Sequence, residues 1–198
     1  MKPYSILFQN DDFVVVDKSS GVLSVPSRIG EKEERPVLGK ILESDLGIKI
    51  FPVHRLDAEV SGILLFAKNA QAHREANMVF EKHFVQKTYE ALSLVDAEFG
   101  RVGENFEWRS KILRGKKRAY ESPVGKDSLT RAKIKSKLEW RGHQTLLWEL
   151  EPVTGRSHQL RFEMARHKVP ILGDRLYGSL ISIVQNEAHP HTSAMKTT

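Results

Sequence analysis

The stretch FPVHRLDAEVSGILLFAKN, residues 51–69, decides how this chain folds and where its chemistry lies. Its second half, from Gly62 to Ala67, is an apolar run of strand length and predicts a buried β-strand. A base and an acid, Arg55 and Asp57, stand directly before this strand. Because burying a charge costs free energy unless the charge is paired, an acid at the edge of the core requires a partner or a function.

The composition is that of a globular protein with an ordinary core. Of the 198 residues 40% are hydrophobic and none is cysteine, which excludes disulfides and thiolate metal sites and is typical of a reducing compartment. No spacing of histidines and carboxylates typical of a metal site occurs, so no metal is expected. The longest apolar runs, Phe13–Val16 and Ile63–Ala67, are far shorter than the roughly 20 residues of a membrane helix. We therefore expect a soluble, cytoplasmic protein that does not contact a membrane.

Positive charge is concentrated in one segment of the chain. Lys and Arg exceed Asp and Glu by 31 to 25, and RSKILRGKKR, residues 109–118, contains six cations and no acid. Such a segment fits a solvated loop or, alternatively, a surface that contacts phosphates. The strand predicted over residues 131–140 alternates apolar with mostly basic side chains, so its exposed face is also expected to be basic.

Hydrophobic periodicity predicts strands and helices mixed along the chain. Strands are predicted at residues 6–8, 13–17, 87–95, 131–140 and 145–151, with a further extended piece at 21–25. Helices are predicted to open at Pro36, after an N-cap at Asn69, and from an N-cap at Ser157 to about Arg166. This order predicts an α+β protein with a single domain, residues 1–184, built on a mixed, largely antiparallel β-sheet flanked by helices. Residues 185–198 show no periodicity and are expected to form a flexible tail.

Two further stretches place polar residues on predicted elements. QKTYEAL, residues 86–92, places Tyr89 on a strand, and TGRSHQLR, residues 154–161, places Arg161 at the start of a helix. Taken singly, each candidate also has a structural interpretation: the acid as a turn cap, the tyrosine in the core with a hydrogen-bonded hydroxyl, the arginine in an ion pair. The residues alone leave these alternatives open.

Together and in this order, the stretches resemble the RluA family of pseudouridine synthases, enzymes that isomerise uridine in RNA. The resemblance begins at ILFQNDDFVVVDKSSGVLSVP, passes through PVHRLDAEVSGILLFAKN and KTYEAL, and ends with TGRSHQLRFEMARHKVPILGDRLYG, covering about residues 5–180. It implies the pseudouridine synthase fold and activity on structured RNA, either rRNA or tRNA, by a monomer that needs no cofactor. The chain departs from the family pattern at Ser19, where proline usually follows the lysine, and after residue 184, where the family's last strand is not recognisable.

The resemblance also implies roles for individual residues. Asp57 matches the family's catalytic aspartate, Tyr89 the tyrosine that packs against the flipped uracil, and Arg161 the basic residue paired with the aspartate. Arg55 matches a position that can fill the space left in the RNA when the base swings out. Leu160 is expected to form part of the pocket wall, and the basic segment is expected to hold phosphates. The residues expected to bind the substrate are His54, Arg156, Leu160, Lys116, Lys117 and Arg118.

The chemistry of this reaction explains an acid at the edge of the core. Whether it adds to C1′ of the sugar or removes the 2′ proton, Asp57 must be ionised and shielded from water. A nearby guanidinium favours the ionised form, and Arg161 is expected to supply it. Two alternatives stay open: a catalytically inactive RNA-binding module with the same fold, and an unrelated hydrolase that uses Asp57 as nucleophile or base.

Overall fold

The computed structural model describes residues 2–27, 33–94, 99–179 and 195–197. Within these ranges the chain forms three α-helices, α1 (Leu38–Leu46), α2 (Ala70–Glu81) and α3 (Gln159–Arg166). The strands there are β1 (Tyr4–Gln9), β2 (Phe13–Lys18), β3 (Phe51–Pro52), β4 (Ser61–Ala67), β5 (Tyr89–Leu94), β6 (Asn105–Arg114), β7 (Ala119–Glu121), β8 (Lys126–Trp140), β9 (His143–Pro152) and β10 (Met195–Thr197). The predicted α+β class is confirmed. None of the helices in these ranges is long and apolar enough to span a membrane.

The chain divides into two compact units. The first comprises residues up to 85 together with β10, and the second begins at residue 86. Because compact units of this kind also occur within one domain, the single domain over residues 1–184 stays a prediction. Within the predicted tail, β10 pairs in parallel with β4, so a flexible tail is wrong for residues 195–197. The other residues of that tail lie outside the described ranges.

The sheet of the first unit is built around β2 and β4. β2 pairs antiparallel with β1 and with β4, and β3 pairs antiparallel with β4. Alternate residues of β2, Val14 and Val16, lie opposite Phe66 and Leu64 of β4, and all four side chains are fully buried. Lys18 continues this alternation and is also fully buried, so a cation occupies a core position at the end of β2.

Helix α2 packs against β3 and β4. As predicted, Asn69 is its N-cap, and the Asn69 side chain accepts a hydrogen bond from the Ala72 backbone N–H at 2.9 Å. Ala72 and Ala76 are buried, and they pack with Val53. The helix ends at Glu81, and Phe84 beyond it is exposed.

The second unit is an antiparallel sheet with the strand order β5, β9, β8, β6, β7. Trp148 and Leu150 of β9 and Ile134 of β8 are fully buried and form its core. Helix α3 adds Leu160 and Met164, which are buried as well.

Two local predictions in this unit were wrong. Residues 109–114 of the expected basic loop are part of β6, because Trp108 and Ile112 are buried on one face and alternate with exposed residues. Only residues 115–118 form the turn between β6 and β7. The N-cap of α3 is His158 rather than Ser157, and His158 adopts a left-handed conformation with φ 53°. Non-glycine residues rarely adopt this conformation.

Candidate active site

The loop between β3 and β4 carries Asp57 and alternates buried with more exposed residues. Leu56 and Ala58 are buried, Asp57 is half-buried, and Arg55 is exposed. The Val60 backbone N–H donates to the Asp57 carbonyl at 3.1 Å, which forms a turn immediately before β4. The loop therefore presents an acid beside the core and an arginine in solvent.

Hydrogen bonds from the segment after β2 fix this loop on both sides of Asp57. The Ser24 hydroxyl donates to the Leu56 carbonyl at 2.8 Å and accepts from the Leu56 N–H at 3.1 Å. On the other side, the Ala58 carbonyl accepts from the Gly21 N–H at 2.8 Å and from Lys18 Nζ at 3.1 Å. Since both neighbours of Asp57 are held through their backbones, the direction in which its carboxylate leaves the loop is largely set.

Lys18 is the buried cation behind this loop. Its ammonium also donates to the carbonyls of Ser19 at 2.9 Å and Val22 at 2.7 Å, so that all three of its protons are used. Burial lowers the pKa of Lys18 to about 8, although the carboxylates of Glu59 and Asp57 oppose this shift. A carboxylate at position 57 thus sits in the field of a buried ammonium group.

The two residues before Leu56 have different surroundings. His54 stacks on Phe80 with ring centroids 5.0 Å apart, and its Nε2 accepts from the Leu65 N–H at 3.1 Å. These contacts attach the loop to α2 and β4, and they favour a structural role for a residue expected to bind substrate. Arg55 is exposed, and within the described ranges no residue pairs with its guanidinium. Its role in binding substrate stays a prediction.

The second unit carries Tyr89 and Arg161. Tyr89 is half-buried and opens β5, where it pairs with Leu150 of β9. Arg161 lies on the first turn of α3 and makes a bidentate ion pair with Asp174, with Nε–Oδ2 2.6 Å and Nη2–Oδ1 2.8 Å. The side chains are 15% and 6% exposed. This pair holds the guanidinium in one plane. The expected pairing of Arg161 with Asp57 stays a prediction.

Tyr177 connects Arg161 with the hairpin formed by β6 and β7. The Arg161 guanidinium lies 5.3 Å from the centre of the Tyr177 ring. The Tyr177 hydroxyl accepts from the Ala119 N–H at 2.6 Å and lies 3.2 Å from His158 Nδ1. Ala119 is the first residue of β7, so Tyr177 contacts the hairpin. Tyr177 also contacts His158, the N-cap of α3, and Arg161 on the first turn of that helix.

The remaining candidates lie in the second unit. Leu160 is buried in the core beneath α3. Arg156 donates through its backbone N–H to Gln159 Oε1 at 2.9 Å and through Nε to the Asp127 carbonyl at 2.8 Å. Lys116, Lys117 and Arg118 are exposed in the turn between β6 and β7. Their roles in binding substrate stay predictions.

The exposed face of β8 is less basic than its own sequence suggests. Lys135 is ion-paired with Glu90 of β5 at 2.7 Å and lies 3.7 Å from Glu149 of β9. Arg131 lies between Glu107 of β6 and Glu151 in the register of the sheet. The acids of neighbouring strands therefore neutralise much of this face, which sequence periodicity within one strand could not reveal.

Sequence reasoning missed the residues that support the candidates. Asp174 and Tyr177 lie in LGDRLYG, a stretch quoted above for its resemblance but without a role for its residues. Lys18 was noted only for the serine that follows it. The alternation of buried and exposed residues along β2 could have identified Lys18 as buried, because it stands at a position where a buried side chain is expected.

Comparison with known proteins supports the same interpretation. The RNA pseudouridylate synthase family matches residues 12–166 of the chain. The dual-specificity RNA pseudouridine synthase RluA of Vibrio vulnificus is 35% identical over 177 residues, which cover 87% of this chain and 68% of that protein. The tRNA pseudouridine synthase C of Vibrio cholerae is 32% identical over 185 residues, covering 87% and 73% of the two chains.

A solved structure extends the agreement to the fold. The human RNA pseudouridylate synthase domain containing 1 superposes with a TM-score of 0.76 at 25% identity, covering all of this chain and 79% of that one. The matched residues include the Asp57 loop, Tyr89 and Arg161. The chain thus belongs to the family of RNA pseudouridine synthases, enzymes that isomerise uridine in RNA.

Proposed function

We propose that this protein converts specific uridines of structured rRNA or tRNA to pseudouridine, with Asp57 as the catalytic carboxylate. The observation that carries the proposal is the anchoring of Asp57, whose neighbours Leu56 and Ala58 accept hydrogen bonds from Ser24 and Gly21 in the segment after β2. The relatives named above act on tRNA or have dual specificity, which supports these RNA classes as substrates. We further propose that the protein acts as a monomer in the cytoplasm.

The reaction moves the uracil on its ribose without oxidation or net hydrolysis. The N1–C1′ bond breaks, the uracil turns, and a bond forms between C5 and C1′, while C5 loses its proton and N1 gains one. The Asp57 carboxylate acts either by adding to C1′ or by taking the 2′ proton to give a glycal. The proposal includes both routes, because each requires an ionised carboxylate at this position.

The other residues bind and orient the nucleotide. A base in a stacked helix must be flipped out, at a cost of a few kcal/mol, before it reaches the carboxylate. Arg55 is exposed two residues from Asp57 and fills the vacated space in the RNA. Tyr89 packs against the extruded uracil. Arg161, which Asp174 holds in plane, is the cation that we expect to keep the reacting carboxylate ionised.

Tritium release tests this proposal. RNA transcribed with uridine labelled at C5 loses its label when C5 bonds to C1′, so the native protein is expected to release tritium. Asp57→Asn keeps the size of the side chain and the backbone contacts of the loop, and we expect it to bind the RNA but reduce release at least 1000-fold. Binding without release by the native protein would instead identify an inactive RNA-binding module. Release by Asp57→Asn at the native rate would contradict the catalytic role of Asp57.

A further inference from the structure

Lys87 is a half-buried cation in the second unit. Its ammonium group makes no hydrogen bond or ion pair with any residue in the described ranges. Burial alone lowers the pKa of Lys87, and no carboxylate opposes this shift. Lys18, in contrast, donates to three carbonyls, and Lys135 has two acids beside it. A desolvated cation without compensation is costly, and an anion that binds there would remove the cost.

The surroundings of Lys87 suit an anion. Its Nζ lies next to the backbone of Gly155, since a Cβ added to that glycine would be 3.7 Å from it. Arg156 follows directly, and none of the described carboxylates pairs with its guanidinium. The Ser157 hydroxyl comes next and also has no partner in the part of the chain that the structure describes. The cations Lys87 and Arg156 and the Ser157 hydroxyl therefore lie next to the exposed backbone of Gly155.

The position of Lys87 along the chain relates this group to the substrate. Lys87 stands two residues before Tyr89, and side chains two apart in an extended chain point to the same side. The preceding side chain, Gln86, donates to Glu151 of β9 at 3.2 Å, consistent with an extended path that continues the pairing of β5. A ligand held by Lys87 would therefore lie on the side of the chain that presents the Tyr89 ring.

We propose that Lys87, with Arg156 and Ser157 around Gly155, forms a site for a backbone phosphate of the RNA beside the uridine that is isomerised. This inference rests on the proposed function for the identity of the anion, because phosphodiesters are the anions of RNA. An ammonium group contacts phosphate as a point charge, so the site holds the RNA without reading its sequence. The proposed site thus gives Lys87, the lysine of KTY, a contact with the substrate that is distinct from those of the turn between β6 and β7.

Salt-dependent binding tests this site. All variants are made in the full chain with Asp57→Asn, which prevents turnover, and binding to a fluorescein-labelled RNA stem-loop with loop uridines is measured by anisotropy. Lys87→Gln is expected to weaken binding about tenfold, and to reduce the slope of log K against log salt by about one. Lys87→Arg keeps the charge and is expected to retain the slope.

A matched control removes the same charge elsewhere on the second unit. Lys168 is exposed just beyond the C-terminal end of α3, and we expect Lys168→Gln to leave affinity and slope within twofold of the parent. Thermal unfolding separates binding from folding. Because Lys87 is desolvated and unpaired, Lys87→Gln is expected to unfold at the same or a higher temperature, whereas a structural lysine would lower it.

The outcomes decide the proposal independently of catalysis. An unchanged salt slope in Lys87→Gln, an equal loss in Lys168→Gln, or a lower unfolding temperature together with the lost affinity would each overturn the site. Failure of the native protein to release tritium would refute the proposed function instead, while the binding measurements would still report on Lys87.

Discussion

Glu163 is the residue whose burial is least compensated in α3. The side chain is fully buried, with Oε1 accepting from the Ser110 hydroxyl and Oε2 lacking a hydrogen bond in the described structure. The nearest cation, Arg166, is 3.7 Å away, and His167 is 3.9 Å away. Burial raises the pKa of Glu163, which the hydrogen bond from Ser110 and the charge of Arg166 only partly oppose.

Glu163→Gln is expected to stabilise the protein increasingly as pH rises. The native acid is favoured in its protonated form, so its contribution to stability is complete below the unfolded pKa of about 4.5 and is lost as pH rises through the higher folded pKa. Glutamine has no charge to bury. The unfolding free energy of the variant relative to the native protein should therefore increase between pH 5 and pH 8, on the order of 1 kcal/mol, in urea titrations. A pH-independent difference would contradict a buried carboxylate.

The sequence predicts individual site residues better than their partners. Asp57 and Arg161 could be predicted because they lie in contiguous motifs beside predicted elements. The partner of Arg161 is Asp174, thirteen residues away across the end of α3. Nothing local in the sequence distinguishes this acid from Asp57 as a counterion. Pairing between residues of separate elements depends on the fold, and only the structure supplies it.

At the scale of elements, strand periodicity succeeds where one face is buried. β2, β4 and β9 were predicted near their observed bounds because their apolar residues are frequent. β6 was not predicted, since the many charged residues of this segment hid the alternation of Trp108 and Ile112. As a result the basic segment 109–118 separates into a strand and a turn, and the three cations of the turn are all exposed.

The turn between β6 and β7 is expected to bind RNA phosphates more strongly than β8. Replacing Lys116, Lys117 and Arg118 together with glutamine should weaken RNA binding roughly 30-fold or more and reduce the salt slope by up to about three. Lys135→Gln should change binding less than twofold, because Glu90 and Glu149 already neutralise this lysine. Anisotropy titrations in the Asp57→Asn background measure both. A larger loss for Lys135→Gln than for the triple variant would refute this assignment.

At the scale of the whole molecule, each compact unit contributes a different part of the proposed chemistry. The first carries Asp57 and Arg55 on a loop fixed by the segment after β2, and the second carries Tyr89 and Arg161 on β5 and α3. Family membership could be predicted from the order of these motifs along the chain. The RNA that the protein selects depends on surface shape and on few base contacts, and neither leaves a pattern in the sequence.

Mapping pseudouridine in cells identifies that RNA. Mass spectrometry of rRNA and tRNA from cells that lack the protein should show the loss of one or a few pseudouridines. Few sites are expected because only uridines in RNA loops of suitable shape can be flipped into the active site. Expression of the native protein should restore the same sites, whereas Asp57→Ala should restore none at equal protein levels. Restoration by Asp57→Ala would show that the isomerisation does not depend on this carboxylate. A full set of pseudouridines in the deletion strain would argue that the protein binds RNA without modifying it there.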